Sequence, residues 1–335
     1  MTGVLVLTGF LGSGKTTLLR HLLAAPQFSR TAVIINEFGE IGLDHELIET
    51  STDQFIALTT GCLCCKLRSD LVATLDDMLR RREEGVVPPF TRVVIETSGL
   101  ADPAPILQTL MIDTNFSGRL ALNGLITTVD ALNGAGTLER EAISVKQVAL
   151  ADRLILTKSD LAESGSVSLR ARLARLNHMA PLLTADHGCI DPDVFELDAS
   201  NTNAKWGREL VSDEPDLHHV HDDGIETCAI AREEPIHAVT LSLFLEALAE
   251  HCGADMLRLK GIVHIAESPE QPAVVHGVQH IFHPLEWLPR WPSEDRRSRI
   301  VVIGRRIPRR WIELLLTGIQ AEVQDAGAAK MTARA

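Results

Sequence analysis

The chain lacks any apolar run approaching the roughly 20 residues needed to cross a bilayer, so no membrane span is expected in its 335 residues. It is also short of basic residues. Lys and Arg number 32 against 45 Asp and Glu, a net charge of −13. Sequence-independent binding to nucleic acid or to an anionic membrane favours a basic surface, so neither partner is expected. Cysteine is scarce at six, and half of it is crowded into one short stretch, which excludes a disulfide framework and points to the reducing cytosol. A secretion signal is not expected either, because the apolar opening Val4 to Leu7 runs straight into a glycine-rich loop and reads as a buried strand. What remains is ordinary globular composition, 45% apolar and 23% charged, in a chain long enough for one large or two modest domains.

Residues 4–23, VLVLTGFLGSGKTTLLRHLL, read as an apolar strand, a loop and a helix with leucines at helical spacing. The loop from Gly9 to Thr16 fits G-x-x-x-x-G-K-[ST]. Gly12 and Gly14 let the backbone wrap a phosphate with its N–H groups inward. Lys15 is placed to reach the β- and γ-phosphates, and the Thr16 hydroxyl to ligate Mg²⁺, with the helix dipole behind them. Ser13 and Thr17 complete the expected phosphate contacts.

A second apolar strand, Arg92 to Ile95, ends in Glu96 and continues Thr97-Ser98-Gly99. An acid at the end of a buried strand in a P-loop enzyme helps hold Mg²⁺, so Lys15, Thr16 and Glu96 are the expected catalytic set, with Gly99 sensing the γ-phosphate through its N–H. A third strand, Arg153 to Leu156, delivers Thr157-Lys158-Ser159-Asp160, which resembles the [N/T]KxD guanine motif. One carboxylate at Asp160 accepts from both N1–H and the 2-amino group of guanine, a donor pair that adenine lacks, while the stem of Lys158 lies over the base. GTP is therefore the expected nucleotide.

Between the P-loop and these motifs lies Gly61-Cys62-Leu63-Cys64-Cys65. Thiolates so close together reach one Zn²⁺ or similar ion with little reorganisation. On an extended stretch Cys62 and Cys64 point the same way, and Cys65 needs a turn to join them. Three thiolates leave one tetrahedral position for an exchangeable ligand, which suits a protein that must release its cargo. Glu37 and Glu40, on the segment where a GTPase switch falls, stand as either Mg²⁺-linked groups or a fourth ligand to the thiolate-held metal.

In this order GFLGSGKTT, NEFGEIG (36–42), GCLCC, ETSGLADP (96–103) and TKSD resemble the CobW-type metallochaperone GTPases, relatives of the GTPases that deliver nickel to urease and hydrogenase. The stretches LRLKGIVHIAE, GVQHIF and RSRIVVIG in residues 257–304 resemble that family's C-terminal domain. The resemblance implies a P-loop, doubly wound, mostly parallel α/β sheet in residues 1–200, a polar linker over 201–224, a smaller α+β domain over 225–323 and a tail from 324. It also implies a slow GTPase that hands a metal to a client metalloenzyme, as a monomer or as a metal- or nucleotide-dependent dimer. Zn²⁺ is the expected cargo; Co²⁺ stays open, for cobalamin synthesis or nitrile hydratase activation. A metal buffer without a client and an ATP-dependent phosphotransferase are the competing readings.

The linker carries His218-His219-Val220-His221, which reads equally as a transient metal hold, as such loops do in this family, or as solvated polar chain. Beyond it the pattern predicts strands near 226–231, 257–266, 273–282 and 299–304, and helices over about 238–251 and 308–322. Trp311, Leu314 and Leu315 of the last helix are expected to face inward, and the alanine-rich tail from Gln324 to fray.

Overall fold

A computed structural model describes residues 1–36, 57–59, 67–162, 166–195 and 224–332. They fall into two compact units, Met1–Asp198 and Ala199–Ala335. No helix among the described residues is long and apolar enough to cross a membrane.

The first unit is built on seven strands: β1 (Thr2–Gly9), β2 (Thr31–Asn36), β3 (Ala57–Thr59), β4 (Arg92–Thr97), β5 (Leu120–Asp130), β6 (Arg153–Thr157) and β7 (Leu182–Thr184). Their spatial order is β3-β2-β4-β1-β5-β6-β7. Every neighbouring pair is parallel. A parallel sheet needs helices on both faces, so its strands read as continuous apolar runs and not as alternations. Val4, Leu5, Val6 and Leu7 in β1 are accordingly buried without a break. Leu18, Leu19, Leu22 and Leu23 of α1 (Lys15–Leu23) cover one face, in a single core with Leu5, Leu7, Val33, Val94, Ile126 and Ile155. On the rest of the unit lie α2 (Leu67–Glu83), α3 (Ala104–Ile112), α4 (Gly134–Arg140), α5 (Ala142–Leu150) and α6 (Ser166–Leu176). Helix α5 touches both β1 and β5. In α6 Leu169, Leu173 and Leu176, which recur at helical spacing, are buried.

This topology positions the site. The chain reverses its direction of winding beside β1, and parallel strands bring all their C-terminal ends to one edge. The segments after β1, β4, β5 and β6 meet there, although they are far apart in sequence.

The second unit is an antiparallel sheet of β8 (Ile225–Arg232), β9 (Met256–Val263), β10 (Ala273–Val278), β11 (Ile281–Phe282), β12 (Glu286–Trp287) and β13 (Ser298–Arg305). Its order is β11-β10-β9-β13-β8, with β12 on β10. Helices α7 (Ala238–Cys252) and α8 (Arg309–Thr332) pack together, and Phe244, Leu248, Ile312 and Leu316 form a core with Leu259 and Val302 of the sheet. The predicted 273–282 strand is a hairpin that turns at Gln279, whose φ is 54°. Two expectations for α8 are corrected. Ile312 and Leu316, one turn apart, are its most buried residues, with Trp311 and Leu315 flanking them, whereas Leu314 is 62% exposed. At about 100° per residue Leu314 stands on the far side of the helix from Ile312. The chain beyond Gln324 continues the helix to Thr332, in keeping with the helix propensity of Ala326, Ala328 and Ala329.

Candidate functional site

At the end of β1 the chain enters α1 through Gly14, whose φ of 86° is left-handed and costs a residue with a Cβ far more than it costs glycine. The N-terminal end of a helix leaves its first N–H groups outside the helical ladder, which suits this end of α1 to an anion. The Lys15 ammonium folds back to donate to the carbonyl oxygens of Gly9 at 3.0 Å and Phe10 at 3.3 Å. The Ser13 hydroxyl meets that of Thr128 on β5 at 2.7 Å.

Thr16 and Glu96, 80 residues apart, are brought together at the end of β4. The Thr16 hydroxyl donates to Glu96 Oε1 at 2.7 Å, and Glu96 is 1% exposed. A hydroxyl beside a buried carboxylate is a donor set of hard oxygens, which fits Mg²⁺ and not a thiophilic ion. Just beyond, the Ser98–Asp102 loop rests on the P-loop. A Cβ on Gly99 would lie 2.6 Å from the Leu11 amide nitrogen and 2.8 Å from its Cα, so only glycine allows this approach. The loop is gripped from behind by α5: Gln147 Nε2 donates to the carbonyls of Gly99 and Ala101, each at 3.1 Å, and the Lys146 ammonium meets Asp102 Oδ2 at 2.5 Å.

At the end of β6, Thr157 donates its hydroxyl to the Ser13 carbonyl at 2.7 Å and to Val129 O at 3.2 Å. Thr157 thus ties the Thr157–Asp160 segment to the P-loop. Lys158 takes a φ of 55° and sends its ammonium to Asp130 Oδ2 at 2.8 Å. Asp130 also accepts from the amides of Leu132 and Asn133 and from the Asn133 side chain. Burial works to raise the Asp130 pKa, but these bonds, that of Lys158 foremost, outweigh it and hold the carboxyl below its ordinary value. Pinning the head of Lys158 fixes the course of its aliphatic stem. A cavity of about 210 Å³ lies between Leu11, Gly12 and Ser13 on one side and Asp130, Asn133 and Lys158 on the other.

Asp160 follows on the short turn Ser159–Leu161. His187 Nδ1 lies 3.3 Å from Asp160 Oδ2, at the tip of a tight turn closed by paired Asp186 and Cys189 backbone bonds of 2.9 and 2.7 Å. Cys189 Sγ in turn meets His21 Nδ1 of α1 at 3.5 Å. The Asp160 turn is therefore linked to α1 through the His187–Cys189 turn.

Of the residues expected from sequence, Gly9, Gly12, Ser13, Gly14, Lys15, Thr16, Thr17, Glu96, Gly99, Lys158 and Asp160 gather along this one edge of the sheet. Cys62, Cys64, Cys65, Glu37, Glu40 and the His218–His221 tract lie outside the described residues. Cys228 and Cys252 are core residues of the second unit, and burial pushes the Cys228 thiol up to about 12. Asp130, Gln147 and His187 were not foreseen. Asp130 had a visible signal, since it ends the β-branched-rich run Leu125-Ile126-Thr127-Thr128-Val129 just as Glu96 ends its own strand.

A P-loop facing a strand-end carboxylate, beside a lysine-bearing base loop on a β1-centred parallel sheet, defines a P-loop GTPase. The comparisons with known proteins name the branch. Residues 3–184 match the CobW/HypB/UreG nucleotide-binding domain and residues 225–320 the cobalamin synthesis protein cobW C-terminal domain. The chain belongs to the CobW/HypB/UreG family. It is 36% identical to the zinc chaperone YjiA of Escherichia coli over 95% of its own length and 98% of the relative's. The zinc chaperone CobW of Pseudomonas aeruginosa is 30% identical over 91% of this chain and 88% of that one. Among solved structures, Zn(II)-bound YjiA GTPase from E. coli superposes with a TM-score of 0.71 at 33% identity, over 95% of this chain and 98% of the other.

Proposed function

We propose that the protein is a GTP-hydrolysing metallochaperone that holds Zn²⁺ on Cys62, Cys64 and Cys65 and passes it to a client metalloenzyme when the γ-phosphate is lost. The observation that carries this reading is the contact of the Gly99 loop with the P-loop at Leu11, which puts a candidate γ-phosphate sensor against the phosphate cradle. Relatives of similar length that bear the name zinc chaperone support the choice of cargo.

Each residue then has a task. The P-loop amides and Lys15 hold the β- and γ-phosphates, for which Lys15 exchanges its bonds to Gly9 O and Phe10 O. Mg²⁺, which neutralises charge between those phosphates, would be held by Thr16 and, directly or through water, Glu96. Asp160 accepts the guanine donors, and Lys158, steadied by Asp130, lies over the base. Water attacks the γ-phosphorus, the bond to the β–γ bridging oxygen breaks, and phosphate departs. With its oxygens gone, the Gly99 amide loses its partner and the loop relaxes. A linked change of about 3 kcal/mol would alter Zn²⁺ affinity roughly 100-fold. With neither an arginine nor a glutamine given a role at the γ-phosphate, turnover without a partner is expected to be slow.

The test is Zn²⁺ and Co²⁺ affinity by chelator competition with GTPγS–Mg²⁺, with GDP and without nucleotide, in the native chain and in Cys64→Ser, Cys65→Ser. Tighter binding in the GTPγS state, lost in the variant, is the expected result. Equal affinities in all three states would remove the coupling. Tighter gating of Co²⁺ than of Zn²⁺ would reassign the cargo.

A further inference from the structure

Gln147 is wholly buried in the middle of α5, where an apolar residue would be the cheaper filler. Its Oε1 is buried and has no hydrogen-bond partner among the described residues, while its Nε2 spends both hydrogens on the Ser98–Asp102 loop, at Gly99 O and Ala101 O. The amide has one workable orientation, because turning it over would set its oxygen against two carbonyl oxygens. The helix end of the linkage is equally fixed. The Gln147 carbonyl accepts from the Thr127 hydroxyl on β5 at 2.9 Å, and Thr127 is the β-strand neighbour of Thr128, which meets Ser13 of the P-loop.

The consequence for the loop follows from peptide geometry. In a trans peptide the C=O and the following N–H point in opposite directions. Holding the Gly99 and Ala101 carbonyls toward Gln147 turns the Leu100 and Asp102 N–H groups away from it. It also fixes the ψ of Gly99, the one residue here whose conformation is otherwise free, while the opposite side of Gly99 rests on Leu11. Lys146, the preceding residue on α5, adds the bond to Asp102 at the loop's far end.

We propose that Gln147 is a positioning residue for GTP hydrolysis: it sets the Ser98–Asp102 loop so that Gly99 can read the γ-phosphate, and α5 is the element that registers the reading. The inference rests on the role given to Gly99 above and names the residue that enables it. Gln147 acts through the loop and touches no reacting atom.

The experiment uses the full chain and Gln147→Met, which matches the side chain in length but donates no hydrogen bond. Affinities for GTPγS–Mg²⁺ and GDP are measured with kcat and KM for GTP. The expected result is a GTPγS-to-GDP preference reduced about tenfold, a kcat reduced about tenfold and a KM for GTP raised about tenfold with the weaker binding, with GDP affinity within about twofold of the native chain. Unchanged preference and kcat would overturn the inference. So would an equal loss of GTPγS and GDP affinity together with a lowered melting temperature, the signature of a merely structural residue. Should Gln147→Met fail to fold, Lys146→Met removes the companion bond at a partly exposed site and is expected to shift the same preference about threefold; no shift would overturn the proposal. The native chain separates the two layers. If it fails to prefer GTPγS over GDP, the Gly99 reading falls and this inference with it; if it discriminates and the variants do so equally, only the role of Gln147 falls.

Discussion

Replacing Thr157 by valine removes one oxygen and keeps the shape, so it isolates the strut between the base loop and the P-loop. Thr157 is 3% exposed, and its hydroxyl bonds Ser13 O at 2.7 Å and Val129 O at 3.2 Å. The shorter bond dominates, because the longer one is at the weak end of the range. Losing a buried hydrogen bond of this kind costs about 1–2 kcal/mol. In a unit of this size each kcal/mol moves the melting temperature by roughly 2–4 °C, so Thr157→Val is expected to melt about 2–8 °C lower. The functional effect is separate. Ser13 lies within the phosphate loop, and freeing its carbonyl lets the loop sample other conformers, an ordering cost then charged to nucleotide binding. GTPγS affinity is expected to fall up to about tenfold, equivalent to 1.4 kcal/mol. Thr157→Ser, which keeps the hydroxyl, should stay near the native values. Differential scanning calorimetry and titration with GTPγS check both. A valine variant that melts within about a degree of the native chain and binds GTPγS equally well would refute the strut.

Two further perturbations address the base and the acid limit. Asp160→Asn replaces two acceptors facing guanine by one acceptor and one donor; GTP affinity is expected to fall at least about 100-fold, while ATP is little affected. Xanthosine triphosphate, which offers a carbonyl where guanine has its amino group, should bind the variant better than GTP does, and a variant that still prefers GTP would remove Asp160 from base recognition. For Asp130 the native pKa lies below the ordinary carboxylate value, so its contribution is present above the unfolded pKa near 3.9 and is lost as pH falls through the native value. The stability gap between the native chain and Asp130→Asn should therefore be constant from about pH 5 to 8 and shrink below about pH 4. Urea midpoints across that range check it; a gap independent of pH would mean that the charge on Asp130 is not what matters.

The apolar strands and the helix that follows the P-loop were legible because each carries its signal locally: a run buried on both faces, glycines at the turn, leucines at helical spacing. The Thr16–Glu96 meeting was legible only in outline, through the habit of buried strands to end in an acid at the phosphate edge. Gln147 was not legible. Its partners are backbone carbonyls 46 and 48 residues away, and a carbonyl leaves no mark on the sequence. Leu314 misled for a related reason. A face centred on Ile312 and Leu316 takes in Leu315, about 100° from Leu316, and leaves out Leu314, about 200° from it, and only the sheet packed on α8 decides where that face is centred.

Under the proposed function one chain must hold two metal ions without confusing them, and the chemistry of the two expected donor sets separates them. The nucleotide edge offers hydroxyl and carboxylate oxygens, Thr16 and Glu96, suited to a small hard cation that keeps much of its water. The expected cargo ligands are thiolates, which favour Zn²⁺ and bind Mg²⁺ poorly. Affinity for the cargo can then change with the nucleotide while Mg²⁺ stays in place, provided that the signal travels through protein and not through a shared ligand. The Ser98–Asp102 loop meets that requirement on the nucleotide side. It touches the P-loop at Leu11, follows directly on β4 and Glu96, and is tied to α5 by Gln147 and Lys146. Removal of the γ-phosphate would therefore act first on a segment held by hydrogen bonds to backbone carbonyls and by one ion pair. Those bonds are worth only about 1 kcal/mol each, which is weak enough for the loss of one phosphate contact to move the loop and strong enough to hold it while the contact lasts.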